Sequence, residues 1–174
     1  CAYLRRPKPP DGNAATLGRL MPRRHGDARD WLGGPFAETM GVALAFDFLA
    51  HWEAGIRPAL AGRRFVVCDR YDVCFAAYLH AVGSAFPCGE LFATLPRPDL
   101  AIHVVLAPET LAARQGARGA ADDEHPALSA ALSRAYADLL PQYAPRHAVV
   151  ANDGALEDTL SRVAALVRDA GRRP

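Results

Sequence analysis

The residues best placed to do chemistry are Asp69, Arg70 and Tyr71, which follow directly on the apolar run Phe65-Val-Val-Cys68. Such a run reads as a buried strand, and ligands of parallel α/β sheets gather beyond the carboxyl ends of the strands. A carboxylate at that place suits Mg2+, and a guanidinium suits a bidentate contact to phosphate. On spacing alone, the same three residues also read as a strand-end ion pair or a helix cap. Arg114 and Arg118 lie four residues apart, so a helix through them would carry both on one face, which by default is a solvated face. Asn152-Asp-Gly154 is, in the first place, a turn signal.

Other chemistries find less support. No GxxxxGK(S/T) occurs in the sequence, and Gly12, Gly33 and Gly34 are isolated or lack the lysine that such a loop needs. The six histidines show no HxH or HExxH spacing, which argues against a metal centre built on them. Ser84, Ser129, Ser133 and Ser161 have no GxSxG context, so a serine hydrolase is not supported. Cys1, Cys68, Cys74 and Cys88 lack CxxC spacing and read as reduced thiols of a cytoplasmic protein.

The elements that must position these side chains alternate along the chain. Strands are expected at Phe65–Cys68, Leu100–Leu106 and Ala148–Ala151, each a continuous apolar run, as in parallel strands covered on both faces. Helices are expected at Ala37–Leu60, Val73–Val82, Pro108–Gln115, His125–Tyr143 and Leu156–Ala170. In the first, Phe48, Trp52 and Ile56 recur at four-residue spacing, and Pro58 is expected to bend or end the helix. Leu128, Leu132, Leu139 and Leu140 form the stripe of the fourth. Asp153 or the turn after it is expected to start the last helix, and Gly171 to stop it. Short connections between alternating strands and helices predict one α/β domain over residues 1–174 with a parallel sheet.

Bulk composition agrees with a globular chain. It has 174 residues, half of them apolar, and a formal net charge of +1, so there is no basic field of the kind that nucleic acid attracts. No stretch of eighteen apolar residues predicts a membrane span. The chain begins at Cys1 in what reads as a strand, Cys1–Leu4, without a leader, and a further segment upstream is expected.

The order of short motifs resembles that of the thymidylate kinases. Gly55-Ile-Arg-Pro-Ala-Leu-Ala-Gly-Arg-Arg-Phe-Val-Val-Cys-Asp-Arg-Tyr71 is similar to that family's segment of helix end, (K/R)PAL turn, strand and Asp-Arg-Tyr. Ala15-Thr-Leu-Gly18, Phe92-Ala-Thr-Leu-Pro-Arg-Pro-Asp-Leu100, Ala107-Pro-Glu-Thr-Leu-Ala-Ala-Arg114, Arg134-Ala-Tyr136 and Ala151-Asn-Asp-Gly154 resemble further family stretches in the same order. The resemblance implies a three-layer α/β/α fold of the P-loop kinase type, here without its first strand and phosphate-binding loop, an absence of roughly thirty residues. It implies phosphoryl transfer from ATP with Mg2+ to a nucleoside monophosphate, dTMP first among them, and a chain that as given is inactive.

By the same resemblance, Arg70 binds the acceptor phosphate and Asp69 organises the magnesium. Arg5 or Arg6 reaches toward the acceptor, and Tyr78 matches the family's Ala-Tyr on the acceptor side. Arg114 and Arg118 lie in a lid at about 114–125 and stabilise the transferring phosphoryl, and Asn152 lies near the adenine. Phosphoryl transfer is mostly positioning and charge neutralisation, which such groups provide. A homodimer follows by family analogy.

Four positions depart from the family pattern: Leu44 and Phe48 stand where it has a stacking aromatic and a second phosphate-binding arginine, Cys74 where it has a serine, and Leu79 where it has a glutamine. A leucine cannot hydrogen-bond a base edge. A kinase for another nucleotide or metabolite, and a non-catalytic binding protein derived from a kinase, are therefore the alternatives.

Overall fold

The computed structural model describes residues 2–5, 35–62, 65–118 and 126–172. They fall into two compact units, Cys1–Leu95 and Pro96–Pro174. Arg6, the segment resembling the family's second-strand exit (Ala15–Gly18) and residues 119–125 of the expected lid lie outside the described residues.

In the first unit, strands β1 (Ala2–Arg5) and β2 (Val66–Asp69) run parallel, with Ala2 opposite Val66 and Arg5 opposite Asp69. Parallel neighbours require a crossover, and this one contains helix α1 (Pro35–His51). Pro58 does not end it. A proline there lacks the N–H for the Ala54 carbonyl and its ring would crowd that carbonyl. The chain widens instead into a π-helical turn, Trp52–Ile56, in which the Arg57 N–H donates to the Trp52 carbonyl, and continues as α2 (Arg57–Gly62). The predicted spacing of Phe48, Trp52 and Ile56 is the buried edge of this helix.

Helix α3 (Asp72–Ala81) follows β2, and a short helix α4 (Cys88–Phe92), not foreseen in the sequence, follows it. The turn after α3 needs its glycine: Gly83 has φ 74°, and the Ser84 N–H reaches back to the Leu79 carbonyl. Glu38 of α1 accepts from the Ser84 hydroxyl at 3.0 Å and the Ala85 N–H at 2.6 Å. Close approach is possible because Gly41 faces Leu79, where a Cβ would lie 2.9 Å from Leu79 Cδ2. Phe48, Phe75 and Phe92 then meet as three mutually touching rings, with centroids 4.6, 5.1 and 6.2 Å apart.

In the second unit, β3 (Ala101–Val105) and β4 (His147–Ala151) are also parallel, with Ala101 opposite His147 and Val105 opposite Ala151. Around them are α5 (Pro108–Arg118), α6 (Pro126–Tyr143) and α7 (Leu156–Ala170). Pro108 occupies the first turn of α5, as expected of a residue with no N–H to satisfy. The His103 ring lies 4.6 Å from that of Tyr136 in α6. Arg97 donates to the Gln142 carbonyl at 2.8 Å and lies over the Tyr143 ring. Of the stripe expected on α6, Leu140 is buried while Leu132 and Leu139 are half-buried, and the side chain of Leu128 lies outside the described residues.

The mixed α/β class and the parallel pairing agree with the sequence. Full cover of both strand faces does not: Val67, Val104 and Val149 are 46%, 47% and 61% exposed. Among the described residues each sheet has two strands, so every strand is an edge and part of its apolar surface meets solvent. Of the two starts expected for α7, the turn after Asp153 supplies it. Its carboxylate is used elsewhere, and Ala155 stands at the N-cap without a side-chain cap. No described helix is long and apolar enough to cross a membrane.

Candidate functional site

At the carboxyl end of the first parallel pair, β2 stops at Asp69 and α3 starts at Asp72, with two residues to turn the chain. Tyr71 is extended, with φ −134° and ψ −163°, so the reversal falls on Arg70, whose φ is 71°. A residue with a Cβ in the left-handed region costs about 1–2 kcal/mol, and such strain is retained where the surroundings over-determine it. On one side, the β1–β2 ladder fixes Asp69 opposite Arg5. On the other, Tyr71 sets its ring against Phe48, 5.6 Å away and edge-on, and near Trp52 at 6.3 Å.

Asp72 completes the anchor. Only 1% exposed, its carboxylate accepts the Val73 N–H at 2.7 Å in the first turn of α3, where the helix dipole favours a negative charge. Burial, reinforced by the Asp72 charge and by Cys68, pushes the Tyr71 phenol well above its ordinary range, so it stays protonated. Burial and Asp72 also raise the Cys68 thiol, which is therefore a poor nucleophile. Asp69 and Arg70, in contrast, are exposed. The turn thus presents one carboxylate and one guanidinium to solvent above a buried acidic and aromatic base. Tyr78, half-buried, sits further along α3, about 9 Å from its start at the helical rise per residue.

The strand ends of the second unit are organised by hydrogen bonds. The Asn152 N–H donates to the Val105 carbonyl at 2.9 Å, extending the β3–β4 pairing by one residue. The Asn152 carbonyl accepts from Arg114 Nη2 at 2.9 Å, and its side-chain oxygen accepts from the buried Thr159 hydroxyl at 3.0 Å. Asp153 accepts the Ala107 N–H at 2.6 Å. Four bonds therefore tie the turn after β4 to the end of β3, to α5 and to α7.

Of the residues the sequence singled out, Arg5 stands opposite Asp69 in register, next to Arg70, at one strand end of the first unit, and Arg114 and Asn152 meet in the second. Arg118 closes α5, and Arg6 lies outside the described residues. Sequence reading passed over three contributors: Asp72, Phe48 as the support of Tyr71, and Thr159. Asp72 had a signal, an acid in the first turn of a helix. Thr159 had none, because its partner lies seven residues away through a turn.

No family model matches the chain. Three curated proteins are similar to it, each a thymidylate kinase of Xanthomonas campestris pv. campestris, from strains B100, 8004 and ATCC 33913. Each is 43% identical over 79 residues, which make up 44% of this chain and 34% of the relative. The chain thus matches about a third of the length of these relatives. The similarity is to thymidylate kinases and it is partial.

Proposed function

We propose that this chain is part of a nucleotide kinase of the P-loop type, three-layered and cytoplasmic, that transfers the γ-phosphoryl of ATP to a nucleoside monophosphate, dTMP before others. The observation that carries the reading is the exposed Arg70, held in a left-handed turn at the carboxyl end of β2 in a chain partially similar to thymidylate kinases. Arg70 would take the acceptor phosphate as a guanidinium fork, with Arg5 beside it and Tyr78 further along α3. Asp69 fits a single hard-oxygen ligand of Mg2+, an ion that keeps waters and substrate phosphates as its remaining ligands. Mg2+ there would neutralise charge on the transferring phosphoryl group. Arg114, fixed to the Asn152 carbonyl, would hold the turn after β4 beside the nucleotide donor, and Arg118 would serve the transferring group. The 174 residues contain no GxxxxGK(S/T) cradle for the donor phosphates, so this chain by itself is expected to bind ATP weakly and to lack turnover. Titration with ATP tests that: tight binding by the 174-residue chain would refute it.

A second reading is favoured by the burial of Leu44, Phe48 and Leu79, at 6%, 2% and 1% exposure. If the family's stacking aromatic, second arginine and glutamine belong at these positions, this chain offers a base no hydrogen bonds there. The acceptor would then be another nucleotide or metabolite, or the protein would bind without catalysis. A panel of nucleoside monophosphates, deoxynucleosides and sugar phosphates separates these. Binding of dTMP above the rest supports the first reading. Binding of another phosphate alone supports the second.

A further inference from the structure

We infer that α7 is a self-association surface, along which two copies of this chain pair with their α7 helices antiparallel. The inference concerns the second unit and does not rest on the function proposed above.

Leu156, Leu160, Val163, Val167 and Ala170 recur at alternating spacings of four and three residues. At 3.6 residues per turn they fall within about 80° of the helix surface, the narrow stripe of a seam between two helices. Within the chain, α7 is seated by one edge of its apolar face, where Thr159 is buried and bonded to Asn152 and Leu166 is half-buried. The seam itself meets solvent. Leu156, Leu160 and Val167 are 58%, 56% and 42% exposed, while Val163 and Ala170 are half-buried. Apolar side chains scattered singly over a surface need no explanation, but a row of them at seam spacing calls for a second helix.

Charge decides which helix. The first turn of α7 carries Glu157 and Asp158, and the last turn carries Arg168, with Arg172 just beyond it. Asp169, the acid at that end, is paired with Arg146. The helix is therefore acidic at its start and basic at its end. Glu157 and Arg168, both exposed, lie about 100° and 120° round from Leu156, so they flank the seam on the same side. A second copy laid antiparallel sets Leu156 against the other copy's Val167, and Leu160 against its Val163. That register brings Glu157 of each copy beside Arg168 of the other, and the two-fold axis repeats the pair and closes the assembly. Antiparallel helix dipoles favour the same arrangement. A parallel copy would set acid against acid and base against base.

Because each α7 has only 15 residues, the pairing should be weak. Sedimentation velocity of the 174-residue chain should show a monomer passing to a dimer between about 1 and 100 μM, as for an interface below the standard size. Leu160→Glu puts a charge on the seam at an exposed position and should leave a monomer with unchanged helix content. Phe46→Glu, at an exposed position of α1, should dimerise as the wild type does. A wild type that stays monomeric to about tenfold above that range overturns the inference. So does a dimer that survives Leu160→Glu or is lost in Phe46→Glu. Glu157→Arg and Arg168→Glu should each weaken the dimer about 3–10-fold, and the double swap should recover it. The helix dipole alone predicts the reverse for the double swap, since it then opposes both charges. Single swaps without effect on the dimer would refute the antiparallel pairing.

Discussion

The two units carry functional groups at the ends of parallel strand pairs by opposite means. In the first, Arg70 stands at positive φ between the strand ladder and Tyr71, whose ring packs on an aromatic cluster. In the second, hydrogen bonds hold the turn, with Asn152 contributing its N–H, its carbonyl and its side-chain oxygen. Packing of rings fails through cavities, whereas a polar mesh fails through unpaired groups. The first arrangement should be sensitive to side-chain volume and the second to single polar atoms.

The largest effect is expected in the first unit. Phe48→Ala empties the centre of the ring cluster and should cost about 3–5 kcal/mol. Urea unfolding followed by tryptophan fluorescence reports it, since Trp31 and Trp52 both precede residue 96. A loss of stability no larger than that from an exposed site such as Phe46, which is 62% exposed, would contradict the packing account. Next comes Thr159→Val, which keeps the shape but removes the donor to Asn152 and should cost about 1–3 kcal/mol. In the second unit, Thr159→Ser, keeping the hydroxyl, should cost less than Thr159→Val. The reverse order would show that methyl packing, not the hydrogen bond, holds the turn.

A smaller effect is expected with pH. Burial lowers His103 below its ordinary value of 6.5. The unfolded chain therefore binds the proton more readily, and the stability from neutral His103 is present above that value and lost as pH falls through the folded-state value. The urea midpoint should drop as pH falls below His103's ordinary value of 6.5, and His103→Gln should flatten that drop. His51 is lowered by burial too, so His51→Gln should flatten the part that belongs to the first unit. An unchanged slope in His103→Gln would contradict the half-buried ring beside Tyr136 whose protonation burial disfavours. The smallest effect belongs to Arg146 and Asp169, paired at 2.5 Å with side chains 32% and 54% exposed. Asp169→Asn should cost less than about 1 kcal/mol, and salt should erase the difference.

Much of this was legible in the sequence where periodicity is strong. The four-residue spacing of Phe48, Trp52 and Ile56 marked the buried edge of α1, and the apolar runs marked three strands to within a residue or two. Asp69-Arg70-Tyr71 marked the strand end that carries the exposed pair. What stayed hidden depends on contacts distant in sequence or on backbone geometry. Pro58 read as a bend or a stop, because the sequence does not show that a π turn can absorb its missing donor. Between Asp153 and the turn after it the sequence could not choose the helix start, because a turn acid has several backbone N–H groups within reach, and the one it takes, that of Ala107, lies 46 residues away. Continuous apolar runs read as strands covered on both faces, but Val67, Val104 and Val149 sit on two-stranded sheets with open edges. The left-handed Arg70 could not be read at all, since no residue preference points an arginine there.

The proposed role of Arg70 is tested most directly by calorimetric titration of the chain with dTMP, wild type against Arg70→Gly. The substitution removes the guanidinium while leaving the left-handed backbone accessible. Affinity is expected to fall about 10–100-fold, the worth of hydrogen bonds to a charged group. Equal affinity in the two proteins, or no binding of dTMP or any other nucleoside monophosphate to the wild type, would contradict an acceptor-phosphate site at the end of β2.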